Sequence, residues 1–253
     1  MKKKLLIVIS VVLAVAAIVT ASVVGTVAYL TSASKVSNVF TVGNVFITLD
    51  ESEVDADGVP VAGGTRTDRN SYHLMPGKSY TKDPAITVAP DTASCYLFLV
   101  TRNQITDIEA STGTPIDGKP TMAQQMRKNG WAVYKDTSVG SRVWVYCGTD
   151  VTDVTNYTPV AVCGANITPV NTKTQRIAVD TRIPIFTEFH ITTEQSANLN
   201  LYSGAEVTIN AIGIQSDSFG EIGSIDSLDK AWAAVIAQYP YIQDNIGNTT
   251  PNT

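Results

Sequence analysis

The chain of 253 residues carries 18 Lys and Arg against 23 Asp and Glu, a formal net charge of −5, and 44% of its residues are hydrophobic. An acidic surface without basic patches repels phosphate backbones, which argues against a nucleic-acid partner. The three cysteines, Cys95, Cys147 and Cys163, form no CxxC pair, so zinc-ribbon and thioredoxin readings fail as well.

Lys2, Lys3 and Lys4 precede an uncharged apolar run from Leu5 to about Val24, and the small residues Gly25, Thr26 and Ala28 lead to Tyr29. This is the three-part layout of a secretory signal peptide over residues 1–28. Small side chains at 26 and 28 suit the narrow subsites of a signal peptidase, so cleavage is expected between Ala28 and Tyr29. The competing reading is an uncleaved anchor, because the run is long enough to cross about 30 Å of hydrocarbon. No positive cluster follows it, however, and Gly25 weakens the end of such a helix. A secreted protein with no stable membrane span after cleavage is therefore expected. Loss of the leader removes three of the 18 basic residues and no acid, leaving 15 against 23, a net charge of −8. A mature length of roughly 225 residues fits one large β domain or two small ones.

Beyond the leader, period-two patterns dominate. Residues 39–49, VFTVGNVFITL, alternate as one strand with a bulge or bend near Gly43 and Asn44. Residues 50–71 hold few large apolar side chains and read as a solvated loop or insertion. Met75-Pro76-Gly77 marks a turn. Strands are predicted over 81–88, 93–102, 131–134, 142–146, 159–163, parts of 177–191, and 206–214, with a short helix over 122–129. In EVTINAIGIQ, Val207, Ile209, Ala211 and Gly213 share one face. Only the end turns helical: Ile225, Leu228, Trp232, Val235 and Ile236 recur at spacings of three and four within 224–237. The last residues, 246–253, are polar and contain neither a wall-sorting motif nor an apolar anchor. Eight or more short strands between turn signals give an all-β class, a sandwich or jelly roll with a short C-terminal helix.

Cys147 and Cys163 end the runs WVYC and VAVC on either side of a polar loop. Paired as a hairpin, those runs would let the two sulfurs meet in a disulfide, which export permits. Such a bridge closes a loop of about 15 residues and contributes about 3 kcal/mol. Cys95, inside SCYLFLV, reads as a buried free thiol.

No catalytic constellation stands out. A metalloprotease of the HExxH type needs two imidazoles one helical turn apart, and the two histidines, His73 and His190, lie far apart in the chain. His190 and Glu188 are two apart, hence on one face of a strand, where a metal pair is conceivable but an exposed polar face is the default reading; His73, near the turn, reads as exposed. No GxSxG is present. The acids of DESEVDAD at 50–57 lack the spaced Gly and terminal Glu of a calcium loop and read as solvated. Trp131, Trp144 and Tyr146 could stack on sugars, but on strands such residues are more often core or cross-strand pairs. No metal, cofactor or catalytic residue is assigned.

Four segments taken in order carry a resemblance: GTVAYLTS, NVFTVGNVFITLDE, MPGKSYTKDPAITV, and INAIGIQSDSFGE followed by a helix with Ala231-Trp232. Together they are similar to the TasA/camelysin family of Gram-positive bacteria, whose signals are typically cut by the peptidase SipW. The resemblance covers about half of the chain, and the middle, 103–176, matches only loosely through Trp131 and Trp144. It implies a jelly-roll domain over 43–245 and a structural role in extracellular or biofilm matrix fibres, at the cell surface or beyond it. In such fibres the freed N-terminal segment, here 29–42, completes a sheet of the next subunit. The partners are then the signal peptidase during export and further copies of the chain. Leu30, Val36 and Phe40 are evenly spaced and would dock together from one face of that donor strand. The same family includes camelysin, described as a surface metallo-endopeptidase, an activity for which this chain offers no HExxH. A surface adhesive or binding module is the other alternative.

Overall fold

The computed structural model describes residues 31–109, 118–136, 141–151, 153, 155–167, 176–179, 182–193, 199–240 and 242. The expected leader, the Ala28–Tyr29 cleavage site, Leu30 and the polar tail lie outside the described residues.

The first strand, β1 (Thr31–Val42), is rich in β-branched residues and free of proline, so it extends throughout. It stops at Gly43, whose φ of 83° favours glycine. The next strand, β2 (Ile47–Ser52), belongs to another sheet. The single strand expected over 39–49 is thus two strands, and the predicted bend is the crossing between layers. The expected loop 50–71 is also corrected. It holds the end of β2, the two-residue β3 (Arg66–Thr67) and the start of β4 (Arg69–His73), and Glu51, Val54 and Asn70 in it are buried.

The predicted strand 81–88 divides into β5 (Ser79–Thr81) and β6 (Ala85–Val88) around Pro84, which has no N–H to give a ladder. Then come β7 (Cys95–Asn103), the short helix α1 (Thr106–Glu109) and α2 (Met122–Lys128). A capping box starts α2: Gln124 N donates to Thr121 Oγ1 at 3.2 Å, and Thr121 N donates to Gln124 Oε1 at 2.8 Å. The following strands are β8 (Trp131–Asp136), β9 (Ser141–Tyr146), β10 (Ala161–Gly164), β11 (Arg176–Val179), β12 (Ile183–Pro184), β13 (Glu188–His190) and β14 (Val207–Gln215). The last helix, α3 (Ile225–Gln238), is capped by Ser224.

Among the described residues eight strands form the main sheet, in the order β11-β10-β7-β14-β1-β4, with β9 beside β7 and β8 beside β9. Two smaller sheets, β12-β6-β2-β3 and β13-β5, cover one of its faces, and α3 covers the other. That layering explains the continuous apolar run in β7. Cys95, Leu97 and Leu99 enter the core under the small sheets, while Tyr96, Phe98 and Val100 enter the core under α3. Along β14, Ile209 and Ala211 face the first core and Ile212 and Ile214 the second. At Gly213 a Cβ would sit 2.7 Å from Val45 Cγ1, so the sheets approach through a missing side chain. Trp131 and Trp144 are core residues, and Trp131 stands opposite Tyr146 with ring centroids 5.0 Å apart.

The cysteines depart from the expected bridge. Strands β9 and β10 are not a hairpin: β9 pairs with residues 98–102 of β7 and β10 with residues 95–96, end to end along the same strand. Cys147, Cys163 and Cys95 are all buried, and Cys147 and Cys95 are free thiols. Cys95 has Val162, the neighbour of Cys163, as its register partner.

Candidate assembly site

The predicted donor segment is the strand that joins two parts of the main sheet. Residues 31–35 of β1 pair antiparallel with 73–69 of β4. Residues 36–42 pair parallel with 209–214 of β14. Among the described residues, strand β4 joins the main sheet only through β1. The register shifts between Val36 and Asn38, where two steps on β1 match one on β14. Such a bulge resets the alternation, so even spacing does not carry a common face from Val36 across to Phe40. Of the predicted docking trio, only Phe40 has a described side chain. It packs with Val42 against the core under α3, its ring 5.1 Å from that of Tyr239. The strand ends where Gly43 lies against Gln215, and Asn44 N donates to Gln215 Oε1 at 3.4 Å.

Strand β4 presents Asn70 and Tyr72 inward. The Tyr72 ring meets Tyr80 and Phe189 edge-on at 5.8 and 5.1 Å, and Tyr80 stacks on Phe189 at 5.0 Å. Tyr80 donates to the His73 carbonyl at 2.6 Å and accepts from Met75 N at 2.6 Å. Burial pushes its hydroxyl up to about 12.

Beside this aromatic group lies a feature that the sequence reading missed. Glu51 and Lys82 are 0% and 1% exposed, and Lys82 Nζ meets Glu51 Oε2 at 2.5 Å. The other carboxylate oxygen, Oε1, accepts from Asn70 Nδ2 at 2.9 Å. Asn70 also donates to the Ser52 carbonyl at 2.8 Å, and its Oδ1 accepts from Val54 N at 3.0 Å. Burial holds Lys82 below its usual range, with Glu51 opposing that shift. The available signal was the alternation Ile47, Leu49, Glu51, which places a carboxylate on the inward face of β2.

Of the remaining acids of 50–57, Glu53, Asp55 and Asp57 are exposed, as expected, and Asp50 is half-buried. Arg66 bonds Asp50 at 2.8 Å and Asp83 at 2.9 Å, Arg182 reaches Asp50, and Lys78 meets Asp57 at 2.6 Å. Although burial works to raise Asp83, Ser52 and Arg66 hold it below the usual carboxylate range. His190, expected on an exposed face, is 7% exposed, with Nδ1 3.0 Å from Ser79 Oγ; His73 is half-buried. Among the described residues no group of three or more His, Cys, Asp or Glu side chains is placed to hold a metal ion. No helix among them is long and apolar enough to cross a membrane. Comparison with protein-family models, curated proteins and solved structures returns no match to this chain.

Proposed function

We propose that the chain is a secreted structural protein of an extracellular or biofilm matrix, a jelly-roll-like sandwich that forms fibres when β1 of one copy completes the sheet of the next. The observation that carries this reading is that, among the described residues, β1 alone links β4 to the main sheet, through backbone ladders on two different strands. A backbone ladder is indifferent to which copy supplies the strand, so transfer of β1 to a neighbour remakes the same bonds. The segment directly follows the expected cleavage site after Ala28. Before cleavage it is tethered to the membrane helix, and the signal peptidase frees it, so export gates assembly. The stretches that resemble the TasA/camelysin family support the same reading: NVFTVGNVFITLDE forms the end of β1 and β2 up to Glu51, and INAIGIQSDSFGE starts in β14 and leads toward α3.

Electron microscopy of protein starting at Tyr29, beside protein starting at Gly43, tests the proposal. Fibres are expected from the first and none from the second, and a peptide of residues 29–42 is expected to bind the shortened chain and keep it soluble. Fibres from the shortened chain, or none from the longer one at any concentration, would overturn it and leave a surface binding module as the leading reading.

A further inference from the structure

From the geometry of the buried Glu51, Asn70 and Lys82 side chains we infer that the chain forms an intramolecular isopeptide bond between Lys82 Nζ and Asn70 Cγ, with Glu51 as its proton carrier. All three groups are buried: Glu51 is 0%, Lys82 1% and Asn70 5% exposed. Nucleophile and leaving group lie on the two oxygens of one carboxylate, Lys82 Nζ on Oε2 at 2.5 Å and Asn70 Nδ2 on Oε1 at 2.9 Å. The orientation of the amide follows from its backbone partners: Oδ1 faces the Val54 N–H and Nδ2 faces the Ser52 carbonyl.

Each requirement of amide exchange has a group in place. The amine must be neutral to attack, and burial lowers the proton affinity of Lys82. A proton passes from Nζ to Glu51, and the Nζ lone pair forms the new bond to Asn70 Cγ. The carbonyl electrons move to Oδ1, where the Val54 N–H at 3.0 Å supports the developing oxyanion. Glu51 then gives its proton to Nδ2, the Cγ–Nδ2 bond breaks, and ammonia leaves. The proton still carried by the former amine passes to Glu51, which ends as the neutral acid. Lysine ammonium, carboxylate and primary amide thus become secondary amide, carboxylic acid and ammonia, with no oxidant or cofactor. The product holds no buried charge, so the desolvation penalty of an ion pair in a dry core disappears. The bond ties β4 to the segment after β5, which itself is held by Lys82 N donating to the Thr187 carbonyl at 3.1 Å. It forms whether or not the chain polymerises.

The purified protein, its first residue fixed by N-terminal sequencing, is weighed intact by mass spectrometry and then digested with trypsin after denaturation. The expected mass is one ammonia below that of the sequence. The expected digest contains a branched peptide joining 70–78 to 79–102, with Lys82 uncut. Glu51→Gln is expected to carry the full sequence mass. A wild-type chain at full mass with Lys82 cleaved overturns the proposal. So does ammonia loss without the branched peptide, which reports cyclisation of Asn70 onto its own backbone. Should Glu51→Gln fail to fold, the wild-type mass and digest decide alone; a branched peptide in that variant would remove Glu51 from its assigned role.

Discussion

The ring of Phe40 lies 5.1 Å from the ring of Tyr239, and the Tyr239 hydroxyl donates to the neighbouring Thr41 carbonyl at 2.8 Å. The residue that follows α3 therefore holds the second half of β1 from the helix-covered face. An aromatic contact contributes about 0.5–1.5 kcal/mol and a hydrogen bond about 1 kcal/mol. Tyr239→Ala is expected to lower stability in urea by about 2 kcal/mol. Amide exchange at 36–42 is expected to rise more than exchange in β7, because β7 keeps partners on both edges. A uniform rise across both strands would show that Tyr239 does not hold β1 in particular.

Glu109 is expected to make stability fall as pH rises. Its carboxylate is 5% exposed, accepts from Met122 N at the start of α2, and accepts from Asn103 Nδ2 at 3.2 Å. Burial pushes it from 4.5 up to about 7 despite those bonds. The folded state thus binds a proton more tightly than the unfolded chain does. Its contribution is fully present below about 4.5 and is lost as pH rises through about 7. At about 1.4 kcal/mol per unit the loss is about 3 kcal/mol. Urea titrations at pH 5, 6 and 7.5 are expected to show the decline, and Glu109→Gln to flatten it. An unchanged slope in the variant would move the effect to another group.

Much of the fold was legible because it follows from side-chain periodicity. Strand β7 reads as an unbroken apolar run because both its faces are covered, and α3 shows its buried Leu228, Ala231, Trp232 and Val235 at helical spacing. What stayed hidden has two physical causes. Gly43 and Pro84 break continuous alternations into strands of different sheets, and alternation carries no record of which sheet a strand enters. The buried Glu51, Asn70 and Lys82 satisfy one another, so polar composition led 50–71 to read as solvent-facing. The Cys147–Cys163 pairing failed for a related reason: two strands near in sequence lie end to end on β7 instead of side by side.

The thiols give a chemical check on that arrangement. Burial pushes the Cys147 thiol up to about 12 and raises Cys95 further. A thiol-reactive dye is expected to label the folded protein slowly and to count three thiols after unfolding without reductant. A count of one would restore a disulfide and reopen the pairing of β10.

Strand β10 crosses the turn before β7 so closely that it tolerates no side chain at its end. A Cβ on Gly164 would lie 2.1 Å from the Pro90 carbonyl oxygen and 2.3 Å from that of Ala89. The turn has little room to retreat. Gly164 N donates to the Thr92 carbonyl at 2.9 Å, Ala89 N to the Phe46 carbonyl at 2.9 Å, and Ala93 N to the Asn44 carbonyl at 2.9 Å. Thr92 Oγ1 adds a bond to the Phe46 carbonyl at 2.8 Å. Moving the turn therefore strains the connection between β1 and β2. Gly164→Ala is expected to cost about 3 kcal/mol or more, at the upper end of the range for overpacked sites. Gly204→Ala is the comparison, since a Cβ there meets nothing within 4 Å and the cost comes only from its φ of 76°. About 1 kcal/mol is expected for it. Urea unfolding of the two variants side by side separates crowding from backbone strain. Equal losses would mean that the turn yields and that β10 is not pinned by it.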